Sequence, residues 1–256
     1  MPIWVLSMLA VILAVAISVS GLLLVRKLVT VPVLQSRNDV TGFMHAVVGV
    51  LYAVLLAFTV LAGWERYDEA DDVADHEANA LADLYRAAGA YPEEVRLRLR
   101  TKLRSYANAV ITDEWPELAH GRASLRAWAP YNDLWREYLA FSPGTEAESL
   151  WHRQSLVWLG DLGDYRRMRL LRSEAAIPAV LWVVLAVGGI VTVGFSCAYG
   201  LSSAVAHSFM TGALAGTLAL ILVVLSALEH PYRGEIRVEP RALAEVLSIF
   251  EEQVYP

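Results

Sequence analysis

The sequence predicts an all-α membrane protein: four transmembrane helices with a helical cytoplasmic stalk domain between spans two and three. Three observations predict it. Four long apolar runs, Ile3–Val25, Phe43–Gly63, Pro178–Tyr199 and Val205–Leu228, each reach the ~20 residues that cross a ~30 Å hydrocarbon core. None of the four contains Asp, Glu, Lys or Arg, and one such charge at mid-membrane costs about 2.5–3.5 kcal/mol on insertion scales. Between runs two and three, residues 64–177 carry helical periodicity and no strand pattern.

Taken in order, span one opens at Met1-Pro2-Ile3 with no Lys or Arg. Its apolar stretch is longer than the ~7–15 residues of a signal-peptide core, so it is expected to stay as an anchor. Residues 1–63 then supply spans one and two. Span two runs on past Trp64 with no helix breaker, and Tyr67, Ala70, Ala74, Leu81, Leu84 and Ala88 mark one face at helical spacing. Pro92 can start the next helix, with Glu93 and Glu94 at its positive end. There Leu99, Leu103, Tyr106 and Val110 form one stripe. This helix is expected to end near Trp115-Pro116. Pro130 opens a shorter aromatic helix with Leu134, Trp135 and Tyr138. Ser142-Pro143-Gly144 is a turn, and Thr145 with Glu148 three residues later reads as a capping box. The helix that follows carries Trp151, Val157, Met168 and Leu171 toward span three. Residues 178–228 hold spans three and four, and 229–256 form a cytoplasmic tail. No linker or low-complexity tract divides the chain, which is expected to be one structural unit.

Charge sets the expected orientation. Near the span ends, eight arginines (66, 166, 167, 169, 172, 233, 237 and 241) lie on the side of the termini and stalk. Only Arg26, Lys27 and Arg37 lie on the other side. By the positive-inside rule both termini and the middle domain are cytoplasmic. The 256 residues carry a net charge of −6, so nucleic acid is not an expected partner. Cys197 is the single cysteine, and no intrachain disulfide can form.

The chain has no P-loop, GxSxG, HExxH, CxxC or dinucleotide fingerprint, and no enzymatic activity or cofactor is expected. Its densest carboxylate group is Asp68, Glu69, Asp71, Asp72 and Asp75, beside His76 and Glu77. Asp68, Asp72 and Asp75 share a helix face. They could hold a divalent cation or attract cations to a vestibule, or simply form a solvated face partnered by neighbouring arginines. One straight helix cannot by itself wrap the six to eight oxygens that calcium takes. Gly212 and Gly216 form a GxxxG pair, which lets helices approach closely in lipid. The spans lack the carboxylates that coupled transporters use for their ions. Only His45 and His207 come near the membrane, both at span ends, with interfacial or capping roles expected. A passive channel needs no such groups, because a hydrophobic constriction can gate by dewetting.

Span two and its exit run from Val50 through Phe58 to Trp64-Glu65-Arg66-Tyr67, and the segment after span four reads Glu229-His230-Pro231-Tyr232-Arg233-Gly234. These resemble the second membrane helix of bestrophins and the Pro-aromatic-Gly turn after their last span. Glu77 with Ala80-Leu81 and Leu84-Tyr85, the Glu114-Trp115-Pro116 corner, and Ile177-Pro178 with Trp182 extend the likeness. With these motifs the chain is similar, along nearly its whole length, to the bacterial bestrophin-like domain family. That resemblance implies a pentameric, anion-permeable channel in the bacterial inner (plasma) membrane, with span two lining the pore. Trp64 and Tyr67 then anchor the exit of the pore helix, and Val50, Val54, Phe58 and Leu61 face the axis. Two features depart from bestrophins proper. The segment Glu235-Ile236-Arg237-Val238-Glu239 is not the acidic run of calcium-responsive members, and span two lacks the repeated phenylalanines of animal channels.

The sequence therefore leads to a passive ion channel, embedded in the lipid bilayer as a homo-oligomer. The alternative is a non-conducting scaffold or signalling adaptor whose stalk, through Trp128, Trp135, Trp151 and Trp158, binds a cytoplasmic protein partner. Exposed aromatics would favour the adaptor, and packed ones a self-contained channel domain.

Overall fold

The computed structural model describes residues 3–122, 128–174 and 176–252. The described secondary structure is helical, with no strand among these residues. Four helices are long and apolar enough to cross a membrane: α1 (Ile3–Leu28), α3 (Asn38–Ala87), α8 (Ala179–Cys197) and α9 (Ala204–Leu228). A short helix, α2 (Val31–Gln35), lies between the first two. The chain divides into two compact units, residues 1–65 with 176–229 and residues 66–175 with 230–256.

In the first unit, small residues set how closely the helices approach. A side chain at Gly212 or Gly216 of α9 would meet Val15 of α1 at 3.2 and 3.3 Å. Without it, the two backbones close up and gain van der Waals contact, the main attraction available between helices in lipid. The ring of Tyr52 on α3 lies over Gly188 of α8, where a Cβ atom would come within 2.5 Å of it. The Tyr52 hydroxyl donates to the Leu185 carbonyl at 2.9 Å, which satisfies a polar group the bilayer would leave bare. Glu229 Oε1 accepts from the Ile177 amide and from Trp182 Nε1, both at 3.2 Å, and so closes the start of α8.

The second unit is built on the apolar stripes expected of it. From α3, Ala70, Ala74, Leu81 and Leu84 are buried, with Ala88 just past its end, and on α4 (Glu93–Ala109) Leu99, Leu103 and Tyr106 are buried with Val110 just beyond. Their partners come from α6 (Trp128–Ala140), α7 (Glu146–Glu174) and α10 (Arg241–Glu251). Three details differ from expectation. Helical backbone continues past Trp115-Pro116, through a π-turn at Val110–Glu114 into α5 (Trp115–Ala119). Pro116 falls at the start of α5, directly after a π-turn that has already shifted the hydrogen-bond pattern of the helix. α6 begins at Trp128, ahead of Pro130. At the start of α7, the Glu148 amide donates to Thr145 Oγ1 at 3.2 Å, but Glu148 Oε2 accepts from Gly144 at 2.7 Å rather than from Thr145.

A larger difference concerns α7. Trp151, Val157, Met168 and Leu171 are exposed, while Leu159, Leu162, Arg166 and Arg169 face the core. Apolar side chains point out and arginines point in, because the core opposite α7 supplies carboxylates. The four tryptophans of the middle segment divide: Trp128, Trp135 and Trp158 pack against the core and Trp151 does not.

Candidate functional site

Span two lies within α3, and its sides differ. Tyr52, Leu56 and Thr59 are buried, and Gly63 sits against Leu225 and Leu228. Val50, Val54, Phe58 and Leu61 are 63, 50, 68 and 51% exposed. These four recur at spacings of four, four and three, so they share one helix face. Within the first unit that face has no covering element. Trp64 is 56% exposed and Tyr67 half-buried.

Asp68, Asp72 and Asp75 follow on the same helix, exposed to solvent. Glu69 pairs with Arg172 at 2.5 Å. Burial, with the neighbouring Asp75, Asp72 and Asp68, raises the Asp71 carboxyl above its ordinary value. Among the described residues, no three His, Cys, Asp or Glu side chains converge closely enough to hold a metal ion.

Charge also lies inside the second unit. Glu77, Glu114, Arg166 and Arg169 are all buried. Arg169 donates from Nε to Glu77 Oε2 at 2.6 Å and from Nη2 to Glu77 Oε1 at 3.2 Å, a bidentate pair. The same Nη2 reaches Glu114 Oε1 at 2.5 Å, and Arg166 Nη2 reaches Glu114 Oε2 at 2.6 Å. Tyr106 donates its hydroxyl to Glu77 Oε1 at 2.6 Å. The guanidinium groups lie over Trp115 (Arg169, 4.7 Å) and Trp128 (Arg166, 4.4 Å), adding cation–π attraction. Burial works against the charge on Arg169, but Glu77 and Glu114 outweigh it and hold its pKa above the ordinary arginine value. Burial, then Glu77, keeps the Tyr106 hydroxyl protonated well past its usual range. The π-turn has a role here, since it brings both Val110 and Glu114 to the buried side. Tyr232, from the Pro-aromatic-Gly turn, donates to the Ala70 carbonyl at 2.9 Å. Its neighbour Gly234 takes a φ of +79°, which favours glycine.

A second polar knot lies at one end of the first unit. His207, buried on α9, has Nε2 2.9 Å from the Ser196 carbonyl and Nδ1 3.3 Å from Arg26 Nη1. An arginine can only donate, so Nδ1 accepts and Nε2 carries the proton. Arg26 also donates to the Leu201 carbonyl at 2.8 Å. Asn38 accepts from the Gly200 amide at 2.8 Å and donates back to its carbonyl at 3.3 Å.

A family model for the bestrophin-like domain matches residues 12–243. The chain belongs to the bestrophin-like family. The fold of this bestrophin-like protein agrees. A variant of a bacterial bestrophin homologue from Klebsiella pneumoniae superposes with a TM-score of 0.70 at 12% identity, covering 94% of this chain and 98% of the other. Two further variants of that homologue give TM-scores of 0.64 and 0.63 at 14 and 15% identity, covering 96 and 97% of this chain and 99 and 97% of theirs. No curated protein matches in sequence. At these identities the structural neighbours establish the fold, and the matched model establishes the family.

Glu77, which the sequence offered as a family motif and as a neighbour of the acidic group, and Glu114, a family motif alone, are the two carboxylates of the buried cluster. Arg166 and Arg169 were counted for membrane orientation alone. A local signal existed: both arginines fall on the same α7 face as Leu159 and Leu162. Gly212 and Gly216 pack against α1 of the same chain.

Proposed function

We propose that this bestrophin-like protein is a passive ion channel, assembled as a homo-oligomer around the Val50, Val54, Phe58 and Leu61 face of α3. The observation that carries this reading is that face itself. It is apolar, regular over three turns and uncovered, on a helix whose other side is closed by Tyr52 and Leu56. Copies arranged about an axis would turn these stripes toward one another and enclose a narrow apolar passage of the kind that gates by dewetting. Family resemblance implies a pentamer in the bacterial inner membrane and an anion as the permeant ion, and the positive-inside rule puts both termini and the middle domain in the cytoplasm. Packing of Trp128, Trp135 and Trp158 into the core supports a self-contained channel domain over an adaptor that offers them to a partner.

A second reading concerns the sign of the ion. Asp68, Asp72 and Asp75 lie further along the same helix, exposed and without an ion-pair partner among the described residues. Repeated around an axis, they would concentrate cations and repel anions. Liposomes holding the purified protein under a sodium chloride gradient separate the two. A reversal potential at the chloride equilibrium value supports the anion channel. One at the sodium value, moved toward zero by Asp68→Asn with Asp72→Asn, supports the cation channel. No flux under either gradient rejects both.

A further inference from the structure

A long groove runs along the membrane unit on a different side of α3 from the apolar stripe. It consists of two adjoining cavities of about 480 and 530 Å³, which share His45 and Leu214 as walls. Ala53 and Leu56 of α3 form one wall of the longer part, and Leu218 and Ile221 of α9 the other. From His45 to Val60 the groove follows α3 for about 22 Å at 1.5 Å per residue, more than one leaflet of a ~30 Å hydrocarbon core.

Its polarity is graded. At one end stand His45, Tyr199 and His207, and beyond His45 the walls are almost wholly apolar. The polar end belongs to one membrane face: His45 is near the start of span two, Tyr199 closes span three, and His207 opens span four. Arg26, which closes span one, bonds His207 there. The chain between spans at this face carries Arg26, Lys27 and Arg37 against Asp39 alone, and no carboxylate lines either cavity. His207 has both ring nitrogens engaged. His45 does not: its ring stacks on Phe195 at 6.2 Å and tilts against Tyr199 at 5.8 Å, and no hydrogen bond engages it among the described residues. A histidine in an apolar span with no partner in its own chain is a place where function is expected.

We propose that this groove is a lipid site. It holds one acyl chain of an anionic membrane phospholipid, with the headgroup at the His45–Tyr199 end. A lipid matches every graded feature of the groove: a polar end at the membrane face, negative charge against a basic rim, and an apolar tail as long as the channel that holds it. A helix of a second copy would bring no negative headgroup to that end.

Native mass spectrometry of the full chain released from detergent tests this, with added phosphatidylglycerol or phosphatidylcholine of identical chains. Phosphatidylglycerol should remain bound, in preference to phosphatidylcholine by about tenfold, since both carry the phosphate but only phosphatidylcholine sets a choline cation against the Lys27 and Arg37 rim. Ala53→Phe and Leu214→Trp fill the groove from opposite walls. Each should release the lipid while the oligomer's mass stays unchanged, and where one fails to fold the other decides. Lys27→Gln with Arg37→Gln should keep the lipid and lose the preference. Lipid retained in both filled variants overturns the site. So does an oligomer that falls apart with lipid retention unchanged, since the groove would then be an interface between copies. An unaltered preference in Lys27→Gln with Arg37→Gln overturns the headgroup assignment.

Discussion

At Glu77 the cost of burying a charge is set by its partners. Its two oxygens take three hydrogen bonds, two from Arg169 and one from Tyr106. Arg169 in turn is, among the described residues, the group that donates to both buried carboxylates. Arg169→Met would strand Glu77 and weaken the setting of Glu114, so it should lower stability by about 3–5 kcal/mol, the range for breaking a buried pair. Two positions away, Arg167 pairs with Asp164 at the surface, and Arg167→Met should cost no more than about 1 kcal/mol. Thermal unfolding in detergent, followed by tryptophan fluorescence, checks the contrast. Equal shifts for the two variants would mean that the buried cluster contributes no more than a surface pair.

This cluster also marks where sequence reasoning ran out. The Leu99, Leu103, Tyr106 and Val110 stripe is legible because its residues recur at the helical period and are apolar. On α7 the same reading points to Trp151, Val157, Met168 and Leu171 and away from the face that is buried. Arg169 is tolerable inside only because Glu77 and Glu114 wait for it, 92 and 55 residues earlier. No local window contains that fact. The apolar stripe of α3 came by another route, since only the family resemblance singles out Val50, Val54, Phe58 and Leu61 within a span that is apolar on every side.

At the scale of elements, glycine fixes the spacing of the membrane helices. Gly188 lets the Tyr52 ring rest on the α8 backbone, and the hydroxyl then reaches Leu185. Gly188→Leu must push that ring away and break its hydrogen bond. Overpacking of this kind costs about 1–3 kcal/mol, on top of the lost bond. Gly21 of α1 has nothing within 4 Å of a built Cβ, so Gly21→Ala should be tolerated. The unfolding midpoints of the two variants should therefore separate. A Gly188→Leu protein as stable as the parent would mean that α3 and α8 do not approach as closely as the structure has them. The four spans themselves were legible, since length and absence of charge suffice. Which small residue meets which ring was not, because it depends on helix pairing. The Gly212–Gly216 pair needed the same information before it could be assigned to α1.

At the scale of the whole molecule, the bestrophin-like fold shows an economy of polar groups in its membrane unit. Its spans carry hydroxyls and two histidines but none of the carboxylates that coupled transporters use for their ions. That favours passive conduction through an oligomer over transport by a single chain. The central claim is that the α3 stripe lines the conducting path. The most direct measurement is aqueous thiol modification during flux in liposomes, with Cys197→Ser as background. Val54→Cys, Phe58→Cys and Leu61→Cys are introduced one at a time, with Ile190→Cys, an exposed apolar position on α8, as the comparison. Flux should fall on modification at Val54, Phe58 and Leu61 and stay unchanged at Ile190. Flux that is present but indifferent to modification at all three stripe positions would contradict the claim and place the pathway elsewhere.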